Sequence, residues 1–304
     1  MQENRSSYQE PLKRLAYSLA KRYAIRPKDS LDGAELCRAL QGHGIASTLG
    51  KLSKAGDDPV QILHEYQQAS NSLKNCCASD MFYLSLKPPA LNFNPEFAAA
   101  IVATARQNGQ SVHFDAHRFS SADSTLELLE AVMERHPASG GKGRNWSFGL
   151  TLPARWKRSH ADARWAANKG VRPRLVKGDF KAGSADEMDA GKGLLALVDQ
   201  LAGRVAELAV ATHDSVLARE AVKRCKKRGT AVQLELFFGM PSGSMTALSR
   251  ELEVPVRFYI PYGDTLLIYV LRDLLANPHK ILRRSSWEVL GTKEAKLARI
   301  IGSL

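Results

Sequence analysis

The segment GDTLLIYVLRDLLANP, Gly263 to Pro278, sets an arginine beside an aspartate in the middle of an otherwise apolar stretch. Asp264 has the type of an N-cap. Leu266, Leu267, Ile268, Val270, Leu271, Leu274 and Leu275 make the following helix apolar around most of its circumference, which predicts burial. Arg272 and Asp273 on such a helix need partners, because an unpaired buried charge is strongly destabilising. Tyr269 lies three and four residues before them, on the same face. These groups either pair with one another or look into a site. Further polar and aromatic residues close the short apolar runs of the chain. Lys87 ends one run and Asp115 the next. Arg174, Lys177, Gly178 and Asp179 stand in RLVKGD, and Thr212 and His213 in ATHD. Phe237 opens FFGM, and Tyr259 lies in FYIPYGD.

The elements that must position these residues alternate. Eight β-like runs are read at Ile45–Leu52, Met81–Lys87, Ser111–Asp115, Trp146–Leu152, Arg172–Lys177, Glu207–Thr212, Thr230–Phe237 and Val256–Ile260. Between them PEFAAAIVATARQNG, STLELLEAVMERH, ADEMDAGKGLLALVDQLAG and DSVLAREAVKRCKKRG show apolar residues at three- and four-residue steps, and several close with glycine, as helix C-termini often do. This order predicts an α/β fold, a (β/α)8 TIM-like barrel, with PLKRLAYSLAKRYA and LDGAELCRALQGHG as a helical segment before it. The division expected is an N-terminal helical segment over 1–40, the barrel over 41–285 and a C-terminal helix over 286–304. In such barrels the chemistry sits at the C-terminal ends of the strands. Six polar strand ends therefore converge on one mouth, which points to a site. No G-x-G-x-x-G dinucleotide fingerprint is present.

Composition narrows the function classes. The 304 residues are 44% hydrophobic and 24% charged, ordinary for a globular protein. No apolar run approaches the roughly 18–20 residues of a membrane span, and MQENRSSYQEPLKR lacks a secretory pattern. Cys37, Cys76, Cys77 and Cys225 form no C-x-x-C pair and no metal spacing, so a reduced, cytoplasmic protein without a metal is expected. The net charge of +12 is dispersed, with local clusters at KRCKKRG, RPRLVKG and Ile281–Arg299. Solvated helix faces explain such runs without nucleic acid. The last segment suits at most a peripheral contact with an anionic membrane. A basic barrel that binds nucleic acid or a protein partner, with no chemistry of its own, is the reading from another class.

The motifs SLKPPAL, RLVKG, ATHD, FFGM, FYIPYG and YVLRDLLANP occur in the order and at about the spacing of those of the proline dehydrogenase family, which includes the flavin domain of bifunctional proline utilisation enzymes. Over roughly residues 31 to 280 the chain resembles that family. The resemblance implies a distorted (β/α)8 barrel that binds FAD without a dinucleotide motif. It implies hydride transfer from C5 of proline to flavin N5, giving pyrroline-5-carboxylate, with a quinone as electron acceptor. It also implies residue roles. Arg174, Lys177 and Gly178 match the stretch along the flavin, where a cation stabilises negative charge developing on the reduced ring. Thr212 and His213 match flavin-contacting positions, and Thr151 stands where a flavin-contacting glutamine is usual. Lys87 matches the lysine that attracts the substrate carboxylate, with Asp115 ordering the charges beside it. Tyr259 and Tyr269 match aromatic walls, and Arg272 the first of two arginines that clamp the carboxylate.

Departures from the family pattern cluster near the substrate. Asp273 replaces the second arginine, Asp179 and Phe180 stand in KGDF where KGAY is usual, and Ala276 replaces the glutamate of RRLLEN. Phe237 and Phe238 alter a leucine–aromatic or leucine–histidine pair, and Lys51 stands in LGK in place of LGE. A carboxylate about 4–5 Å from a substrate carboxylate costs roughly 1 to 4 kcal/mol at effective dielectrics of about 80 to 20. The expected substrate is therefore a proline-like cyclic or secondary amine or imino acid, more cationic than proline or lacking a free carboxylate. Ordinary proline oxidation, with Asp273 paired to Arg272 or Lys87, is the alternative.

Overall fold

Eight parallel strands pair in chain order, and the last returns to the first to close a barrel. They are β1 (Ala46–Lys51), β2 (Phe82–Leu86), β3 (Ser111–Phe114), β4 (Phe148–Pro153), β5 (Arg172–Val176), β6 (Glu207–Ala211), β7 (Ala231–Phe237) and β8 (Val256–Tyr262). The computed structural model describes residues 27–54, 56–74, 81–136, 148–178, 180–263 and 293–303. Asp179, Tyr269, Arg272, Asp273 and Ala276, the helical expectation over 11–24 and Trp146 of the fourth run lie outside the described residues.

Helices α1 (Ser30–Gln41), α2 (Pro59–Ser72), α3 (Pro95–Gln107), α4 (Ala122–Arg135), α5 (Ser159–Asn168), α6 (Ala190–Leu201), α7 (Ser215–Lys227), α8 (Gly243–Leu252) and α9 (Lys293–Ser303) are found among the described residues. Their starts are chemically marked. Asp58 and Asn94 accept hydrogen bonds from the first turns of α2 and α3, and each is followed by proline at the first helical position. Asp214 caps α7 through the Leu217 amide. The α6 helix begins at Ala190, later than ADEMDAGKG suggests. Glu187 is drawn away by Arg155 and the Ala182 amide, and Asp189 caps the helix at Lys192 instead.

Alternation at period two decides which way each strand presents its side chains. Leu49, Leu84, Leu86, Phe114, Leu175, Leu234, Leu236, Phe258 and Ile260 are buried between strands and helices. Each contributes about 1.5–3 kcal/mol. The opposite face is unusual. Barrel interiors are generally filled by branched aliphatic layers, but here β5 presents Arg172 and Arg174 inward, β7 Gln233 and Glu235, β8 Arg257 and Tyr259. Hydrogen bonds between strands that are not neighbours establish this. Arg172 Nη2 reaches Gln233 across 2.9 Å, and Thr48 Oγ1 donates to Glu235 across 3.4 Å. Towards the N-terminal end, Arg257 lies 3.9 Å and Arg172 5.0 Å from the centre of the Tyr83 ring. Arg172 also pairs with Glu207 at 2.8 Å, and Arg257 Nε donates to Gln233 at 2.7 Å.

Candidate active site

The first turn beyond β3 places Asp115 at the C-terminal mouth, where its amide still bonds to the Leu86 carbonyl of β2 at 2.8 Å. Its carboxylate is a hub. Oδ2 accepts from Lys87 Nζ at 2.6 Å and from the Tyr259 hydroxyl at 3.0 Å; Oδ1 accepts from Thr151 Oγ1 at 3.1 Å and from Arg174 Nη2. Four donors fill the roughly four lone-pair positions a carboxylate offers. Burial alone would raise the Asp115 pKa, but the charges of Lys87 and Arg174 outweigh it and hold the carboxyl well below the usual range. Burial would likewise lower Lys87, yet Asp115 and then Tyr259 hold its ammonium well above its ordinary value. Lys87 is thus a fixed cation with two of its donors committed, to Asp115 and, at 3.1 Å, to Tyr259.

Thr151 and His113 fix the other side of the hub. Thr151 Oγ1 receives Arg174 Nη2 at 2.8 Å and Nε at 3.1 Å, donates to Asp115, and lies 3.0 Å from His113 Nε2. Thr151 Oγ1 and His113 Nε2 share one hydrogen bond whose direction follows the tautomer of the ring, and Nδ1 is the ring nitrogen left over. That atom is buried with no hydrogen-bond partner, against Gly149, where any Cβ would collide with it. Burial first, and then the Arg174 charge, push the His113 pKa well below 6.5, so the ring is neutral. Gly50 performs a similar service for Tyr259, whose hydroxyl occupies the space a Cβ would need. Phe237 stacks on the Tyr259 ring at 5.6 Å and 17°, while Lys87 and Arg174 lie 5.6 and 5.4 Å from its centre. Burial, and then the Asp115 charge, raise the Tyr259 pKa, so its hydroxyl stays protonated.

The structure thus brings Lys87, Asp115, Thr151, Arg174, Phe237 and Tyr259 into one contiguous cluster. A second group lies at the ends of β5 and β6. Lys177 pairs with Asp214 at 2.7 Å, both partly exposed, and Gly178 follows it. Buried Thr212 accepts from the Asp214 amide at 3.1 Å. His213 donates from Nδ1 to the Pro241 carbonyl at 2.9 Å and accepts from the Phe237 amide at Nε2 at 3.0 Å, so both ring nitrogens serve the chain itself. Lys51 pairs with Glu65 at 2.6 Å. Phe180 accepts the Trp156 indole N–H at its carbonyl, and its ring meets Trp156 edge-on, as the Phe119 ring also does.

Reading strand ends alone missed what lies beneath the mouth: Glu235, His113, Thr48 and Ser85. Glu235 Oε2 stands 3.3 Å from Arg174 Nε. The signal that finds them is the period-two alternation inside the strands, as in AVQLELF, where polar residues recur on the inward face. Four cations (Lys87, Arg172, Arg174, Arg257) meet three carboxylates (Asp115, Glu207, Glu235) on this face among the described residues, so the interior favours a negative group. Arg174 Nη1, buried and without a hydrogen-bond partner, is a donor of the right kind for such a group. With Lys177 just beyond β5, this donor fits the flavin that the resemblance implies. No cluster of three or more His, Cys, Asp or Glu that could hold a metal ion occurs among the described residues. Nor is any helix among them long and apolar enough to cross a membrane.

Comparison with solved structures finds the same barrel in proline utilization A proteins. That from Bdellovibrio bacteriovorus, inactivated by N-propargylglycine, superposes with a TM-score of 0.71 at 15% identity over 88% of this chain and 33% of its own. That from Corynebacterium freiburgense gives 0.65 at 14% identity over 97% of this chain and 33% of its own. A Bradyrhizobium japonicum variant gives 0.61 at 17% identity over 85% and 31%. The chain spans about a third of the length of these proteins. No protein-family model matches the sequence, and no curated protein does. The fold that the sequence resemblance implies is therefore the fold found.

Proposed function

We propose that this barrel is a flavin-dependent dehydrogenase that oxidises the carbon next to nitrogen in a proline-like cyclic or secondary amine, leaving an imine. The observation that carries this reading is the Lys87–Asp115–Arg174 network, a charged cluster locked by the chain's own hydrogen bonds at the mouth where such barrels do their chemistry. The shared barrel of the proline utilization A proteins supports it. FAD held there would supply the two-electron acceptor. In the substrate a C–H bond breaks with its electron pair leaving as hydride, the nitrogen lone pair forms C=N, and the N–H proton departs to solvent.

The chain's residues bind and orient. Lys87 offers its remaining N–H to a carboxylate or other anionic group, and Asp115 keeps that ammonium charged and aimed. The Phe237–Tyr259 stack offers an apolar wall to the ring and excludes water from that side. Arg174 places positive charge where negative charge accumulates, and Thr151 and Asp115 hold the guanidinium in place, so little reorganisation accompanies the reaction. Thr212, Lys177, Gly178 and the face of His213 are the residues assigned to the cofactor at the ends of β5 and β6. Asp179, Tyr269, Arg272 and Asp273 complete the substrate side in this reading, on the sequence alone. The second reading, proline itself, is favoured by the excess of cations inside the barrel, which suits a carboxylate. The electron acceptor is proposed to be a quinone, met at most by peripheral contact with a membrane.

The test is uptake of cofactor. Purified protein incubated with FAD and passed through gel filtration is expected to carry non-covalent flavin, released on denaturation. Protein that elutes colourless after that treatment contradicts the reading and favours a barrel with no flavin chemistry.

A further inference from the structure

Glu235 lies at the centre of the barrel, its side chain 2% exposed. Three guanidiniums converge on it: Arg174 Nε at 3.3 Å from Oε2, Arg257 Nε at 3.7 Å and Arg172 Nη1 at 4.0 Å from Oε1. The two lower arginines are held mainly by others. Arg172 bonds to Glu207 and Gln233, and Arg257 to Gln233 and the Ser47 carbonyl at 2.6 Å. Oε1 is oriented by Thr48, whereas Oε2 has no hydrogen bond and has Arg174 as the cation paired with it. At and just beneath the mouth, Lys87, Arg174, Asp115 and Glu235 sum to zero charge, the excess cation of the interior lying lower, where Arg172 and Arg257 meet Glu207; without Glu235 the upper cluster carries +1. Glu235 is too deep to be among the strand-end residues assigned to ligand, so its effect on a ligand passes through Arg174.

From this geometry we infer that Glu235 is a positioning residue for Arg174: it braces the guanidinium from below and offsets its charge, so that the mouth's affinity for negative charge is set from inside the barrel. The inference rests on the flavin reading above. A reduced flavin carries more negative charge than an oxidised one, so a neutral cluster holds the two forms more evenly than a cationic cluster does. Removing the Glu235 charge strengthens binding of the reduced form relative to the oxidised form.

The experiment measures the reduction potential of the FAD-loaded full chain anaerobically against a reference dye, in the parent, Glu235→Gln, Arg174→Met and the double variant. Glu235→Gln is expected to favour the reduced form about tenfold, a rise of about 30 mV for a two-electron couple. In the Arg174→Met background the same change is expected to shift the ratio less than about threefold, because the group through which Glu235 acts is gone. A purely structural Glu235 would alter stability and leave the potential where it was. An unchanged or lowered potential in Glu235→Gln overturns the inference, as does an equal shift in both backgrounds. Should the glutamine variant not fold, Glu235→Asp decides. It keeps the charge but withdraws it from Arg174, so a smaller rise is expected, and the parent potential overturns the proposal. A parent chain that takes up no FAD refutes the functional reading and the inference with it, whereas a flavin-loaded parent with an insensitive potential refutes the inference alone.

Discussion

Replacing Asp115 by asparagine tests whether the mouth is held together by one buried counter-ion. The side chain keeps its size and one acceptor oxygen, but Lys87 and Arg174, with side chains 14% and 4% exposed, lose their shared negative charge. Arg174 retains Glu235 at 3.3 Å, so Lys87 bears most of the loss. The new amide also points N–H groups at two of the four donors that Asp115 now satisfies. Breaking a buried pair by removing one partner costs about 3–5 kcal/mol, a large fraction of the roughly 5–15 kcal/mol that holds a domain folded. Urea unfolding is the assay. The midpoint is expected to fall while the slope stays as in the parent, because the surface exposed on unfolding is unchanged. Adding Lys87→Met removes the stranded ammonium and is expected to recover about 1 kcal/mol or more, a coupling typical of residues in contact. A loss below about 1 kcal/mol in Asp115→Asn, with no recovery in the double variant, would show that solvent already screens the cluster.

Lys87→Ala is expected to raise the dissociation constant of an anionic amine substrate about 10- to 100-fold, the loss of a charge-assisted hydrogen bond; equal binding by equilibrium titration removes Lys87 from the substrate site. His113 and, less buried, His117 have pKa values lowered first by burial. Their contribution to stability is complete above pH 6.5 and drains away as pH falls below it, by up to about 1.4 kcal/mol per pH unit for His113. Unfolding midpoints between pH 7.5 and 5.5 should show this slope, and His113→Gln should flatten it; an unaltered slope refutes the assignment. Asp115, with its pKa held down, contributes in full above about pH 4 and loses its contribution only in stronger acid. Gly50→Ala forces a methyl into the Tyr259 hydroxyl and is expected to cost about 1–3 kcal/mol, partly restored by Tyr259→Phe. Parent-like stability of Gly50→Ala contradicts the close approach.

The eight strands were legible because apolar runs bounded by helical periodicity leave few alternatives, and each run lies within two residues of a strand boundary where described, as with Ser111–Asp115 against Ser111–Phe114. Helices α2, α5 and α8 escaped the reading. Their apolar residues are sparse, and SHADARWAAN buries small residues, Ala163 and Ala166, that carry little hydrophobic signal. Lys87, Asp115, Arg174 and Tyr259 were legible as a set because strand ends of a parallel barrel share one mouth. Their mutual bonding was not, since contacts between β2, β3, β5 and β8 depend on strand register and not on local sequence. The lower interior went unread for a different reason. Arginine and glutamate inside a barrel run against the usual aliphatic filling, and only mutual pairing across the barrel makes them tolerable. Arg272 and Asp273 lie outside the described residues.

Anaerobic titration of the FAD-loaded protein with a panel of amines addresses the central claim most directly. Proline, hydroxyproline, N-methylproline, simple pyrrolidines and diamino acids are added in turn while the visible flavin spectrum is followed. The account predicts that at least one secondary or cyclic amine bleaches the flavin, and that Lys87→Ala weakens the response to any member bearing a carboxylate. A flavin that stays fully oxidised through the whole panel, in protein that binds FAD tightly, would contradict it.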